Sequence, residues 1–428
     1  MRALSLARTH GERAVWALAD QGINPLVQLC LTPLLLIKLG KSEFGVWALA
    51  NAVLGMGQLV SCGAGIAATK HVSADLGAGE LSQAIAAVRA ALTIALLGGA
   101  AAAVLAWQFA GAIVSQFFSR MGNPEHIAPI LALSVLAAAI QEIDNVYAGA
   151  MRGAERFDLC AKVEVPARIC MGLALGLLSV STGSVHVLVV ALTVMLMFKA
   201  AVKASQVAIL LKSARCCLPS LAEAPLGRVF RFGSWQWMQV TGGALFTTTD
   251  QLLIGGLLGA ASLARYSACL QIAQYVHMLP SVLIQVIFPR ISALGARLDP
   301  RQGNAMLRAA TLVSIGIACI VGLPIMVLAY PLLTLWVGHD FAASNSLLLS
   351  ILVAVHIALA FSVGSYFVLL GSGRIARSAA IQLAAGTVQI ISAFVAAPFG
   401  ILAVACSRFL YPLLVSFSYR AARFETDD

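Results

Sequence analysis

The chain consists almost entirely of apolar runs long enough to cross a lipid bilayer, and that restricts it to very few architectures. A helix rises 1.5 Å per residue, so about 20 residues span a hydrocarbon core about 30 Å thick. Twelve such runs can be read, over approximately 14–37, 44–68, 84–112, 127–151, 159–181, 185–210, 230–257, 261–287, 307–333, 344–371, 376–397 and 400–420. With 60% hydrophobic and 11% charged residues in 428, there is too little polar surface to cover a water-soluble body of this size. Backbone groups in hydrocarbon must be satisfied within each element, and the sequence lacks the short alternating strands of a porin-type barrel, so the runs read as helices. The expected fold is an all-α polytopic membrane protein with about 12 transmembrane helices.

The two halves share a pattern. Leu39-Gly40-Lys41-Ser42-Glu43-Phe44-Gly45-Val46-Trp47-Ala48 returns as Leu258-Gly259-Ala260-Ala261-Ser262-Leu263-Ala264-Arg265-Tyr266-Ser267, an offset of 219, with the turn, a bulky apolar residue and an aromatic in the same places. Tyr147 to Gly153 and Phe367 to Gly373 follow at an offset of 220, each a span end running into glycine and basic residues. Such duplication is a mark of secondary transporters. We expect two six-helix lobes, residues 1–215 and 216–428, around a central cavity. Gly22, Pro25 and Pro33 in the first span, and Gly233, Gly242, Gly243, Gly255 and Gly256 in the seventh, are expected hinges, because proline removes a backbone hydrogen bond and glycine tolerates unusual dihedrals.

Cations set the orientation. A cytoplasmic N-terminus gathers Arg2, Arg8, Arg13, Lys70, Arg152, Arg156, Lys212, Arg215, Arg228, Arg290, Arg297, Arg301, Arg374, Arg377, Arg420 and Arg423 on the inner side, leaving Lys38, Lys41, Arg120 and Arg265 outside. The positive-inside rule then puts both termini on the cytoplasmic side. The net charge of +10 is this topology signal; cations scattered over many short loops do not make a nucleic-acid surface. The first span contains Asp20, Gln21 and Pro25 and lacks a small-residue cleavage site, unlike a signal peptide. The nine cysteines lie in spans or, for Cys216 and Cys217, in the long inner loop, without a CxxC pair. They read as small packing residues, with no disulfide framework and no metal site.

Loop length separates an enzyme from a carrier. The longest outer loops, roughly 113–126 and 334–343, leave no room for a soluble catalytic site, and no GxxxxGK[ST] phosphate loop occurs. Glu142 and Asp144 are two apart on a helix and point to different faces, so they form no acid/base pair. We therefore expect a transporter without a cofactor rather than an enzyme.

Charges inside the spans indicate what is carried. A charge at mid-bilayer costs at least about 2.5–3.5 kcal/mol, so it faces a bundle interior or a water-filled cavity. Arg168, Lys199, Arg408 and Arg265 are the expected substrate contacts, because cations, and arginine in particular, grip phosphate. Glu164 also stands one turn from Arg168 as a structural ion-pair partner, while Lys203 and Arg89 are placed to snorkel to the inner surface. Asp250 follows Thr247-Thr248-Thr249; it either serves a hard cation such as Na+ or pairs with Arg265 as an outer gate. Asp20, Glu142 and Asp144 are the expected protonatable coupling groups, which leaves Na+ and H+ both open as coupling ion. His186, His277 and His356 are scattered and read as structural.

Leu35 to Val53, LLIKLGKSEFGVWALANAV, and Asp250 to Ala273, DQLLIGGLLGAASLARYSACLQIA, resemble the Wzx-type polysaccharide flippases of the multidrug/oligosaccharidyl-lipid/polysaccharide (MOP) exporter superfamily. The likeness extends to length, helix count and two-lobe layout. It implies lobes in a V around a cationic cavity, moving an undecaprenyl-pyrophosphate-linked oligosaccharide from the inner to the outer leaflet for O-antigen, capsule or exopolysaccharide synthesis. Arg265 departs from the small residue expected there, and Asp20-Gln21 replaces the arginines found in the first helix of peptidoglycan-precursor flippases, which counts against lipid II as substrate. Two alternatives are a cation-coupled multidrug antiporter, whose cavity would be dominated by acids, and a membrane glycosyltransferase or polymerase acting on lipid-linked sugars.

Overall fold

The computed structural model describes the backbone of residues 2–61, 63–220, 227, 229, 237–238, 241–244, 246–295, 300–371 and 374–423, with side chains over the same ranges except 2–21, 285–295, 300, 370–371 and 375. All regular structure among them is helical. Among the described residues, ten helices are long and apolar enough to cross a membrane. The first expected span and the start of the second run as one element, α1 (Arg2–Gly55), broken at Gly40 with φ 77° and ψ 169°. The seventh is described in part, at 237–238, 241–244 and from 246 onward, and it ends in α8 (Thr249–Leu258). Gly259, which closes α8, has φ 82° and ψ 176°. The doubled Leu-Gly motif is thus the same backbone turn twice, in a region of dihedral space that essentially only glycine enters. Its other pair is less complete, since Gly373 lies outside the described residues.

The chain forms two compact units, Met1–Val240 and Thr241–Asp428. The first extends past the expected 215/216 boundary, and Cys217, Ser220 and Trp237 beyond it bond to the first unit. Cys217 donates to the Ala204 carbonyl at 3.3 Å, Ser220 N–H donates to Thr93 Oγ1 at 2.9 Å, and Trp237 Nε1 donates to the Leu59 carbonyl at 2.6 Å. Burial pushes the Cys216 thiol up to about 12, consistent with a packing role.

In the first unit, α2 (Gly57–Val60), α3 (Ala64–Gly77), α4 (Leu81–Phe117), α5 (Pro124–Gly153), α6 (Phe157–Thr182) and α7 (Val185–Leu210) follow α1. Helix α5 packs on α3, α4 and α7, while α6 lies against α1. The core between α3, α4 and α5 is largely alanine, with Ala67, Ala68, Ala84, Ala91 and Ala150 buried. Small residues let helices approach closely in lipid, where no hydrophobic drive pulls them together.

The second unit continues with α9 (Ala260–Gly295), α10 (Pro300–Val327), α11 (Ala329–Trp336), α12 (His339–Ala360), α13 (Val363–Gly371) and α14 (Ile375–Ala396). Its last span is cut into α15 (Ile401–Ser407), α16 (Leu410–Val415) and α17 (Phe417–Ala422). Helix α12 packs on α9, α10 and α11, and α14 on α16. Outward-facing side chains such as Leu335, 93% exposed, form an apolar exterior suited to hydrocarbon rather than water. The chain is a multi-pass membrane protein.

Candidate functional site

Three helices of the first unit bring their charges together. Glu164 and Arg168 lie one turn apart on α6, and Lys199 and Lys203 one turn apart on α7, so each pair shares a helix face. Asp144 on α5 completes the group. Lys203 donates to Asp144 at 2.8 Å and also contacts Glu164. Lys199 lies 3.0 Å from Asp144 and 3.4 Å from Glu164, and Arg168 lies 3.4 Å from Glu164. Three cations therefore face two carboxylates. The snorkelling expected of Lys203 does not occur: its side chain is 0% exposed, as is that of Asp144. The lysine is held inside by two carboxylates on neighbouring helices.

Arg168, with a side chain 25% exposed, and Lys199 border a cavity of about 400 Å³. Glu142 lies on a different face of α5 from Asp144, as the sequence suggested, and lines both this cavity and a second one of about 220 Å³. Its partners are neutral: Ser61 Oγ donates at 2.5 Å and Asn145 Nδ2 at 3.0 Å.

The second unit holds a separate charged pair. Arg408, 1% exposed, contacts the Asp250 carboxylate and donates to Tyr266 Oη at 2.8 Å. Tyr266 donates to the same carboxylate. The guanidinium sits 4.1 Å from the Phe246 ring centroid, and that ring stacks on Tyr411 at 4.2 Å. His356 meets Phe246 at 6.0 Å and His277 at 5.2 Å; these two histidines, read as scattered, in fact touch. In this structure Asp250 is held by Arg408 and Tyr266, and not by Arg265. Arg265 instead donates to Ser262 Oγ at 3.4 Å. Successive helical residues are rotated by about 100°, so Tyr266 and Arg265 cannot face the same carboxylate.

Sequence comparison supplies the family. Residues 38–346 match the family described as polysaccharide biosynthesis protein. The chain belongs to that family. No curated protein matches it. Its fold is that of MOP-superfamily transporters. An inward-facing multidrug resistance MATE family transporter of that superfamily superposes with TM-score 0.75 at 13% identity, covering 95% of this chain and 96% of that one. An outward-facing MATE family transporter gives TM-score 0.66 at 15% identity, covering 96% and 92%. A MOP transporter from Pyrococcus furiosus, described as having a binding pocket of reverse polarity that suggests a different function, gives 0.62 at 13% identity, with the same coverage.

In this polysaccharide biosynthesis protein the expected site residues divide three ways. Arg168, Lys199, Asp144 and Glu142 gather at or beside the cavity of the first unit. Arg408 and Asp250 enclose each other elsewhere, and Arg265 joins neither group. Asp20 lies in α1, with its side chain outside the described residues. Among the described residues no three His, Cys, Asp or Glu side chains converge as a metal site. Sequence reasoning missed Tyr266, Ser61 and the carboxamides around the cavity. The usable signal was there, since Asn24/Gln28 and Gln141/Asn145 sit one turn apart in otherwise apolar helices, where polar groups need a reason.

Proposed function

We propose that this protein is a flippase that carries an undecaprenyl-pyrophosphate-linked oligosaccharide from the cytoplasmic to the outer leaflet of a bacterial inner membrane by alternating access. The observation carrying this reading is the cationic edge of the cavity: Arg168 and Lys199 line an opening inside the helix bundle of a polysaccharide-family member. A pyrophosphate is the complementary ligand, and arginine grips it in a fork. Unsheltered, a charged and hydroxyl-rich head group would cost on the order of tens of kcal/mol to cross hydrocarbon. The Pyrococcus transporter, with its pocket of reverse polarity, is a precedent for a different use of the same fold.

Deleting the gene should trap lipid-linked glycan on the cytoplasmic leaflet; an unchanged leaflet distribution would sink the reading. Arg168→Ala should slow export about tenfold to hundredfold, the ratio expected for losing a charge-assisted hydrogen bond, with the protein still in the membrane.

Of the coupling carboxylates, Glu142 suits a proton, because its partners are neutral while lysines and an arginine answer Asp144 and Asp250. In proteoliposomes, Glu142→Gln should lower transport under an imposed proton gradient to the rate without one. A variant that still responds to the gradient removes Glu142 from the role.

A further inference from the structure

The cavity of the first unit has a wall that the cationic edge does not explain. Asn24 and Gln28 on α1, Gln58 on α2, and Gln141 and Asn145 on α5 all line it. Gln141 and Asn145 are committed within the protein: Gln141 Nε2 donates to Asp144 at 3.3 Å and Asn145 Nδ2 to Glu142 at 3.0 Å. The carboxamides of Asn24, Gln28 and Gln58 have no hydrogen-bond partner among the described residues, and those of Asn24 and Gln58 are exposed. Three uncommitted amides in apolar spans are costly unless something polar meets them.

The ligand follows from the groups. A carboxamide carries both donor and acceptor and no charge, so it matches neighbouring hydroxyls, each also donor and acceptor, better than it matches a phosphate or a cation. Arg168 and Lys199 converge on Glu164 at the edge of the same cavity. Its volume of about 400 Å³ lies within the usual range for small-molecule sites. Resting on the flippase reading above, we propose that Asn24, Gln28 and Gln58 form a pyranose subsite that holds the first, uncharged sugar of the glycan, while Arg168 and Lys199 take the adjoining pyrophosphate. This division makes the carboxamides the specificity determinants and the cations the affinity determinants.

The test uses full-length protein in nanodiscs, titrated with undecaprenyl pyrophosphate and with the same lipid bearing glucose, galactose or N-acetylglucosamine. At least one glycosylated lipid should bind tighter than the bare lipid by about two- to tenfold per engaged carboxamide. The near-isosteric double variant Gln28→Met/Gln58→Met should bring that preference to about unity, whereas Arg168→Ala should weaken bare and glycosylated lipids alike. Equal binding of all four lipids by the parent protein would overturn the pyranose subsite and leave the flippase reading standing. A sugar preference that survives the double variant would overturn the assignment to these carboxamides. Failure to bind any of the four would remove both readings together.

Discussion

Lys203→Met should destabilise the protein by about 3–5 kcal/mol, the usual cost of removing one partner from a buried ion pair. The reason lies in what remains. Lys203 and Asp144 are both 0% exposed, and Lys203 also supports Glu164. Without it, Asp144 keeps Lys199, which is shared with Glu164, and the Gln141 amide. Three helices, α5, α6 and α7, would then hold two carboxylates around one buried cation, with Arg168 at the partly exposed edge. Thermal unfolding of detergent-purified protein, read by size-exclusion chromatography after heating, would report the loss. Adding Asp144→Asn should recover part of it, because residues in one network are non-additive by about 0.5–3 kcal/mol. Arg168→Met is the comparison: its side chain is 25% exposed, so its loss should cost less than that of the fully enclosed Lys203. A Lys203→Met protein as stable as its parent would show that the buried charges do not brace the three helices.

The parts of this architecture legible in sequence are those fixed locally. Apolar runs of bilayer length gave the helices, and the paired Leu39-Gly40 and Leu258-Gly259 turned out to share one backbone conformation, because a glycine-only dihedral is a property of the residue itself. The pairings were not legible. Lys203 meets Asp144 from 59 positions away and Arg408 meets Asp250 from 158, and no sequence period encodes contacts of that range. Arg265 and Tyr266 show how fine the margin is, since one residue of helical rotation decides which of them reaches Asp250. The break in the last span had a local signal that the reading of the sequence passed over. It falls at Arg408, whose N–H bonds to Ala405 rather than one residue further back, four residues before Pro412, which has no N–H to offer the Arg408 carbonyl and whose ring crowds it. The buried ion pair sits where the helix changes course, so the proline and the charge share one place.

That coupling of a helix break to a buried charge makes Arg408→Leu the second large effect, again about 3–5 kcal/mol destabilising, because Asp250 would be left ionised and enclosed. The stacked rings add to it: a guanidinium over an aromatic face away from water contributes up to about 2 kcal/mol, and Arg408 sits 4.1 Å from the Phe246 centroid. Arg408→Lys should fall between, since lysine keeps the charge but loses the planar fork that reaches Asp250 and Tyr266 together. The double variant Arg408→Leu/Asp250→Asn should regain most of the stability by removing the stranded carboxylate. Unfolding measurements across the three variants test the ordering, and transport by the double variant separates two roles for the arginine. If Arg408 braces the broken last helix against α8 and α9, a stable double variant should still export glycan at a measurable rate. If instead the guanidinium leaves Asp250 during the cycle to hold substrate, the same protein should be stable yet inert, and the pair would be a switch between protein and ligand rather than a fixed brace.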